Sequence, residues 1–170
     1  MNSKTRALGA TLLFAAVGFW SVLFHNVPWE FSVPHIIFYT VLTINTYFSV
    51  RFYTAFTPES TFQSAIDFAL VAAYIALGLS IGIPLAFAFF ALLIFTLAPS
   101  KYAHMLGTTP YDATLRKKIL IDLLGTLMCV LVLGVTIAGL QLKAAWMLAI
   151  LFTLANIYLL LIRPMYRHVE

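Results

Sequence analysis

Apolar residues fall into six long runs, at about 7–24, 33–50, 62–81, 84–98, 118–140 and 144–162, and the charged residues stand mostly between them. About 20 residues at 1.5 Å each cross a hydrocarbon core of about 30 Å. Transmembrane strands would be about 10 residues long and strictly alternating. The runs show neither feature, so the pattern predicts an all-α, polytopic membrane protein with six transmembrane helices. The clearest run is 116–140, RKKILIDLLGTLMCVLVLGVTIAGL, where three cations precede a stretch holding one charge, Asp122. Asp122 lies about 7–8 Å beyond Lys117 along a helix. That is deep enough for a carboxylate to need a partner. Ile66-Asp67 opens its run as Ile121-Asp122 opens this one.

The links at 25–31, around Gly82, and at 141–143 are short, and short links force antiparallel neighbours. The chain therefore reads as one transmembrane domain, 1–170, of three helical hairpins in series: about 7–50, 62–98 and 118–162. The longer link, 99–115, holds the breaker cluster Gly107-Thr108-Thr109-Pro110, with a short interfacial helix expected around 101–106. The hairpins also read as parallel repeats. Asp67 and Asp122 are 55 residues apart, and Phe95-Thr-Leu-Ala98 returns as Phe152-Thr-Leu-Ala155 after 57. Asn45 and Asn156 are separated by about two such periods. The competing explanation is chance matching within a small apolar alphabet.

Composition agrees with a lipid solvent. Hydrophobic residues make up 62% of the chain and charged residues 9%, against about 25% charged in a soluble domain. The net charge of +4 comes from short basic clusters at run ends, so it is a topology signal and not a nucleic-acid one. Lys4, Arg6, Arg51, Lys101, Arg116, Lys117, Lys118, Arg163 and Arg167 fall on one side and Lys143 alone on the other. This asymmetry predicts cytoplasmic termini. Trp20, Trp29 and Trp146 mark the outer face as an aromatic belt, and Tyr53, Tyr102, Tyr158 and Tyr166 approach the inner one. The run from residue 7 reads as a first span and not as a cleavable signal.

Helical spacing sorts the polar residues onto faces. Ala7, Thr11, Ala15 and Gly18 form a small-residue stripe on span one. Asp122, Gly125, Thr126, Cys129 and Thr136 share a face on span five, with Lys118 just before them. Such stripes read first as tight helix packing. Span two carries Thr40, Thr43, Tyr47 and Arg51; span three carries Gln63, Asp67, Tyr74 and Gly78; span six carries Ala145, Ala149, Asn156 and Arg163. From these, Asn45, Tyr47, Arg51, Gln63, Asp67, Lys118, Asp122, Asn156 and Arg163 are expected to converge in a cytoplasmic-side polar patch. Arg51 with Asp67, and Lys118 or Arg163 with Asp122, are the expected ion pairs.

Signals for catalysis and cofactors are weak. His25 and His35 fall on the outer side, His104 and His168 on the inner, and no two share a span, so bis-histidine haem is not supported. His35 reads as an interfacial residue. The single cysteine, Cys129, excludes an intrachain disulfide and a multi-cysteine metal site. There is no His-Glu-x-x-His, Gly-x-Ser-x-Gly or Gly-rich phosphate loop. No catalytic, cofactor or metal residues are assigned.

From about 62 to 163, the layout resembles the YrdB-like family of small four-span bacterial membrane proteins. The shared features are an early acid in a span, Ala98-Pro99-Ser100-Lys101, Leu115-Arg116, Asp122 and Asn156. The family has glutamate where this chain has aspartate and lacks the first hairpin. The resemblance implies a bacterial inner membrane and no particular activity. The leading expectation is thus a non-enzymatic integral membrane protein, accessory or structural, either a homo-oligomer or part of a membrane complex. The alternative is a small transporter or channel for an ion or polar solute that uses Asp67 and Asp122. A water-accessible cavity reaching the midplane is the observation that separates the two.

Overall fold

The computed structural model describes residues 3–24, 28–57, 60–107 and 111–166. The expectations placed on His25, Thr108, Thr109, Pro110, Arg167 and His168 lie outside these. Six α-helices follow one another: α1 Ser3–Phe24, α2 Trp29–Tyr53, α3 Thr61–Leu79, α4 Pro84–His104, α5 Asp112–Ile137 and α6 Gln141–Ile157. A π-helical turn, Tyr158–Ile162, extends α6. Each of the six, with α6 and its extension taken together, is long and apolar enough to cross a membrane. No strand occurs among the described residues.

Local chemistry sets several ends. Ser60 caps α3, its hydroxyl accepting from Gln63 N at 3.1 Å. Pro84 opens α4, where a missing N–H costs nothing. Pro164 disfavours helical backbone at Arg163, which stands at φ −127°, ψ 71° and ends the last turn.

The most extensive helix contact is α4 on α5; α2 packs on both α1 and α6, and α1 also touches α3. Alanines fill the closest approaches: Ala88, Ala91, Ala144, Ala145 and Ala149 are all buried. In lipid, small residues are what let helix backbones come close enough for dispersion to hold them. The ring of Tyr39 forms the α1–α2–α3 junction. Its hydroxyl donates to Phe14 O at 3.0 Å, and Gly78 leaves it room, since a Cβ there would stand 2.7 Å from that oxygen.

Three expectations are corrected. His35 is buried, not interfacial. Its Nδ1 accepts from Gly82 N at 3.0 Å and its ring stacks on Phe87 at 4.0 Å, which ties the α3–α4 turn to α2. On α1 the buried face is Ala7, Phe14, Gly18 and Ser21; Ala15 is exposed, because the heptad through Phe14 turns toward Tyr39 and Tyr74. And 101–106 is no separate helix: α4 runs through Pro99 to His104.

The last correction has a specific cause. A proline inside a helix leaves the carbonyl four residues back without its donor. Here that carbonyl is Phe95 O, and the Thr126 hydroxyl of α5 donates to it at 2.7 Å. The α4–α5 contact therefore repairs the defect Pro99 creates. Thr126→Val is expected to cost about 1–2 kcal/mol, the upper range for a hydrogen bond between membrane helices, because Pro99 has no N–H to offer the carbonyl in its place. Thermal melting in detergent measures this; an unchanged midpoint would deny the bond that role.

Candidate functional site

Five helices, α1 to α5, enclose a cavity of about 430 Å³ that opens at the basic end of the bundle. Small-molecule pockets span about 300–1,000 Å³, so the size is that of a ligand site. Its wall changes character with depth. Near the opening stand Arg6, Thr57, Gln63, Asp67, Lys101 and Lys118; farther in are Phe14, Leu42, Leu70 and Ile94. Leu42 lies 11 residues before Tyr53 on α2, about 16 Å along the helix axis. That is half the thickness of a hydrocarbon core of about 30 Å.

Two ion pairs organise the polar end. Lys118 Nζ stands 2.5 Å from Asp122 Oδ1, one turn apart on α5, with both side chains nearly covered. Lys101 Nζ stands 2.5 Å from Asp67 Oδ1 and bridges α4 to α3. This second pair is more open, the carboxylate being 47% exposed. Lys118 also lies 5.5 Å over the Tyr102 ring, a distance at which a cation feels the aromatic face. Hydroxyl pairs tie the same region together. Ser49 Oγ and Tyr102 OH share a bond of 2.8 Å, and Thr46 Oγ1 and Tyr74 OH share one of 2.5 Å. Gln63 Nε2 donates to Lys101 O at 3.2 Å. Tyr166, beyond α6, reaches back so that its hydroxyl donates to Asn45 Oδ1 at 3.4 Å. Burial raises its phenol above the ordinary range.

Of the nine residues expected to converge, Asn45, Gln63, Asp67, Lys118 and Asp122 line the cavity. Tyr47, Arg51, Asn156 and Arg163 do not. Tyr47 packs edge-on against Phe48. Asn156 is buried on α6 and donates to Phe152 O at 2.9 Å. Arg163 is exposed past the turn that Pro164 ends. The expected Arg51–Asp67 pair is replaced by Lys101–Asp67, because α4 continues far enough to carry Lys101 to α3. The Lys118–Asp122 pair forms, and Arg163 takes no part in it.

Residues outside those nine complete the site: Thr46, Ser49, Tyr53, Tyr74, Lys101 and Tyr102. A signal for five of them existed. Tyr74 shares the helical face of Gln63 and Asp67 on α3. Thr46, Ser49 and Tyr53 keep helical spacing on α2, and Tyr102 follows Lys101 directly. Among the described residues no three His, Cys, Asp or Glu side chains group as a metal site. Cys129, the one thiol, lies in the apolar core away from the cavity wall. The chemistry on offer is hydrogen bonding and charge inside a low-dielectric wall. The chain matches no family model, no curated protein and no solved structure.

Proposed function

We propose that the protein is a small multi-pass membrane protein that takes a polar solute into this cavity from the cytoplasmic side, as a transporter or channel. The observation that carries the reading is the depth of the cavity: a polar mouth holding two ion pairs leads to mid-helix level. An accessory protein needs helix contacts, and a half-depth cleft whose wall holds polar atoms without partners adds nothing to them. The distribution of cations supports an opening inside the cell. Along the sequence nine fall on one side of the apolar runs against Lys143 on the other, and on this reading both termini are cytoplasmic and the chain is three hairpins in series. A bacterial inner membrane is the setting that the resemblance to YrdB-like proteins favours, and the repeat rests on the spacing of Asp67 and Asp122.

Two measurements test this. Reporter fusions at either terminus are expected to report a cytoplasmic location; an external terminus would invert the cavity's side. Second, in a Cys129→Ser background, Asn45→Cys is expected to react with a membrane-impermeant maleimide from the cytoplasmic face only. A thiol that stays unlabelled from both faces, in protein shown to be folded, would return the chain to the accessory class.

A further inference from the structure

Three polar atoms at the cavity wall have no hydrogen-bond partner among the described residues: Tyr53 OH, Gln63 Oε1 and Asp122 Oδ2. All three side chains line the cavity and are at least 97% buried. Buried polar groups in folded proteins are nearly always paired, so each exception needs a reason. The orientation of Gln63 is fixed, because its Nε2 donates to the Lys101 carbonyl and only the amide nitrogen can do so. Its oxygen is therefore an acceptor without a donor. Asp122 Oδ2 is another, since Lys118 engages only Oδ1. The three side chains line the same cavity and are linked through their neighbours. Gln63 holds the Lys101 backbone, Lys118 lies over Tyr102, and the Tyr53 and Tyr102 rings are 4.6 Å apart.

Resting on the solute-binding reading above, we propose that the cavity takes an uncharged solute bearing at least two N–H or O–H donors, of the polyol or amide class. Donors are what Gln63 Oε1 and Asp122 Oδ2 lack. Neutrality follows from the charges: Lys118 and Asp122 cancel, and so do Lys101 and Asp67. A cation arriving at Asp122 would compete with Lys118 and leave the buried site positive, with Arg6 at the mouth adding to the repulsion. An anion would meet two unpaired acceptors. The Tyr53 hydroxyl serves such a solute as either donor or acceptor. The three atoms are covered in this conformation, and the solute meets them after side-chain rotation, the commonest adjustment on binding.

The test is flux of radiolabelled urea, glycerol and myo-inositol into proteoliposomes, beside methylammonium, lactate and glycine. The expected result is protein-dependent entry of at least one of the three neutral probes and none of the charged ones. Entry of methylammonium, lactate or glycine without a neutral probe would overturn the solute class while leaving the cavity reading intact. No protein-dependent entry of any probe would overturn both. Tyr53→Phe supplies the site-specific arm. It deletes a hydroxyl that has no hydrogen-bond partner among the described residues, so a purely structural role predicts unchanged or raised stability and unchanged flux. The proposal expects equal stability with flux down about threefold to tenfold, the worth of one hydrogen bond to a neutral partner. Gln63→Leu, if folded, is expected to do the same; neutral flux indifferent to both changes would place the solute elsewhere.

Discussion

Lys118→Met is expected to destabilise the folded protein by about 3–5 kcal/mol, because it strands the Asp122 carboxylate inside the bundle. The side chains of Lys118 and Asp122 are 8% and 2% exposed, and no described residue bonds to Asp122 Oδ2. Among the described residues no other cation pairs with it. Asp122→Asn, which strands the ammonium instead, falls short of that loss because the amide oxygen still accepts from Lys118. The combined variant Lys118→Met with Asp122→Leu is expected within about 1 kcal/mol of the parent, or above it, since apolar replacement of a buried pair is often neutral or stabilising. Asp67→Asn is the contrast: its carboxylate is half exposed to solvent, and such pairs contribute about 0–1 kcal/mol. Thermal melting of the four variants in one detergent measures all of this. A combined variant as unstable as Lys118→Met would mean that the two side chains do not act as a pair. If it is stable, it also becomes a folded protein in which the acceptor at Asp122 is gone, and flux through it reports on the cavity directly.

How much of this was legible depends on what each feature answers to. The spans were, because they answer to lipid: a run must be apolar over the thickness of the core whatever its neighbours are. The face of α5 was legible for the same reason. Leu123, Leu124, Leu127, Leu131 and Asp122 differ so much in polarity that only one side of the helix can turn inward, and Asp122, Cys129 and Thr136 are buried while those leucines are exposed. The polar face of α2 was misjudged by phase. Thr40, Thr43, Tyr47 and Arg51 keep the same spacing as Leu42, Asn45, Ser49 and Tyr53, two residues on. At 100° per residue that shift lies on nearly the opposite side. Hydroxyl side chains and a tyrosine stand on both stripes, so periodicity alone does not choose. Arg51 drew the reading to the wrong one, yet a long basic side chain near a span end has water within reach and no need to turn inward. Thr43, the member of that stripe that is buried, satisfies its hydroxyl on Tyr39 O one turn back at 2.8 Å.

Lys101 was hidden for a different reason. Proline is a helix breaker in isolation, and Ala98-Pro99 reads as the end of a span. What keeps α4 helical is a hydroxyl from another helix, Thr126 on Phe95 O. Tertiary rescue of a local defect has no local sequence signal. Once α4 is allowed to continue, Lys101 and Tyr102 fall one turn beyond Ala98 and reach Asp67 and Ser49. The polar end of the cavity therefore depends on α4 continuing through Pro99, which this interhelical bond supports.

Gly125→Leu tests the contact on which that bond depends. A Cβ at Gly125 would overlap the Phe95 ring, standing 2.6 Å from its Cε1. Phe95 has no easy retreat: it is 6% exposed and lies edge-on to Phe152 at 5.6 Å. Overpacking a filled core costs about 1–3 kcal/mol and sometimes more. Here the α4 and α5 backbones must also part, which breaks Thr126 from Phe95 O and reopens the Pro99 defect. The expected loss is at least about 3 kcal/mol, visible as loss of the monodisperse folded fraction in detergent. Leu131→Ala on the same helix is the control. Leu131 is 59% exposed toward lipid, and its truncation is expected to change stability by about 0.5 kcal/mol or less. Equal losses for the two would deny Gly125 its role. The mechanism also predicts a specific rescue. Gly125→Ala should be damaging alone and should recover when combined with Phe95→Leu, because the smaller side chain vacates the space the new methyl needs. Simple additivity in that double-mutant cycle would show that the ring and the glycine do not meet.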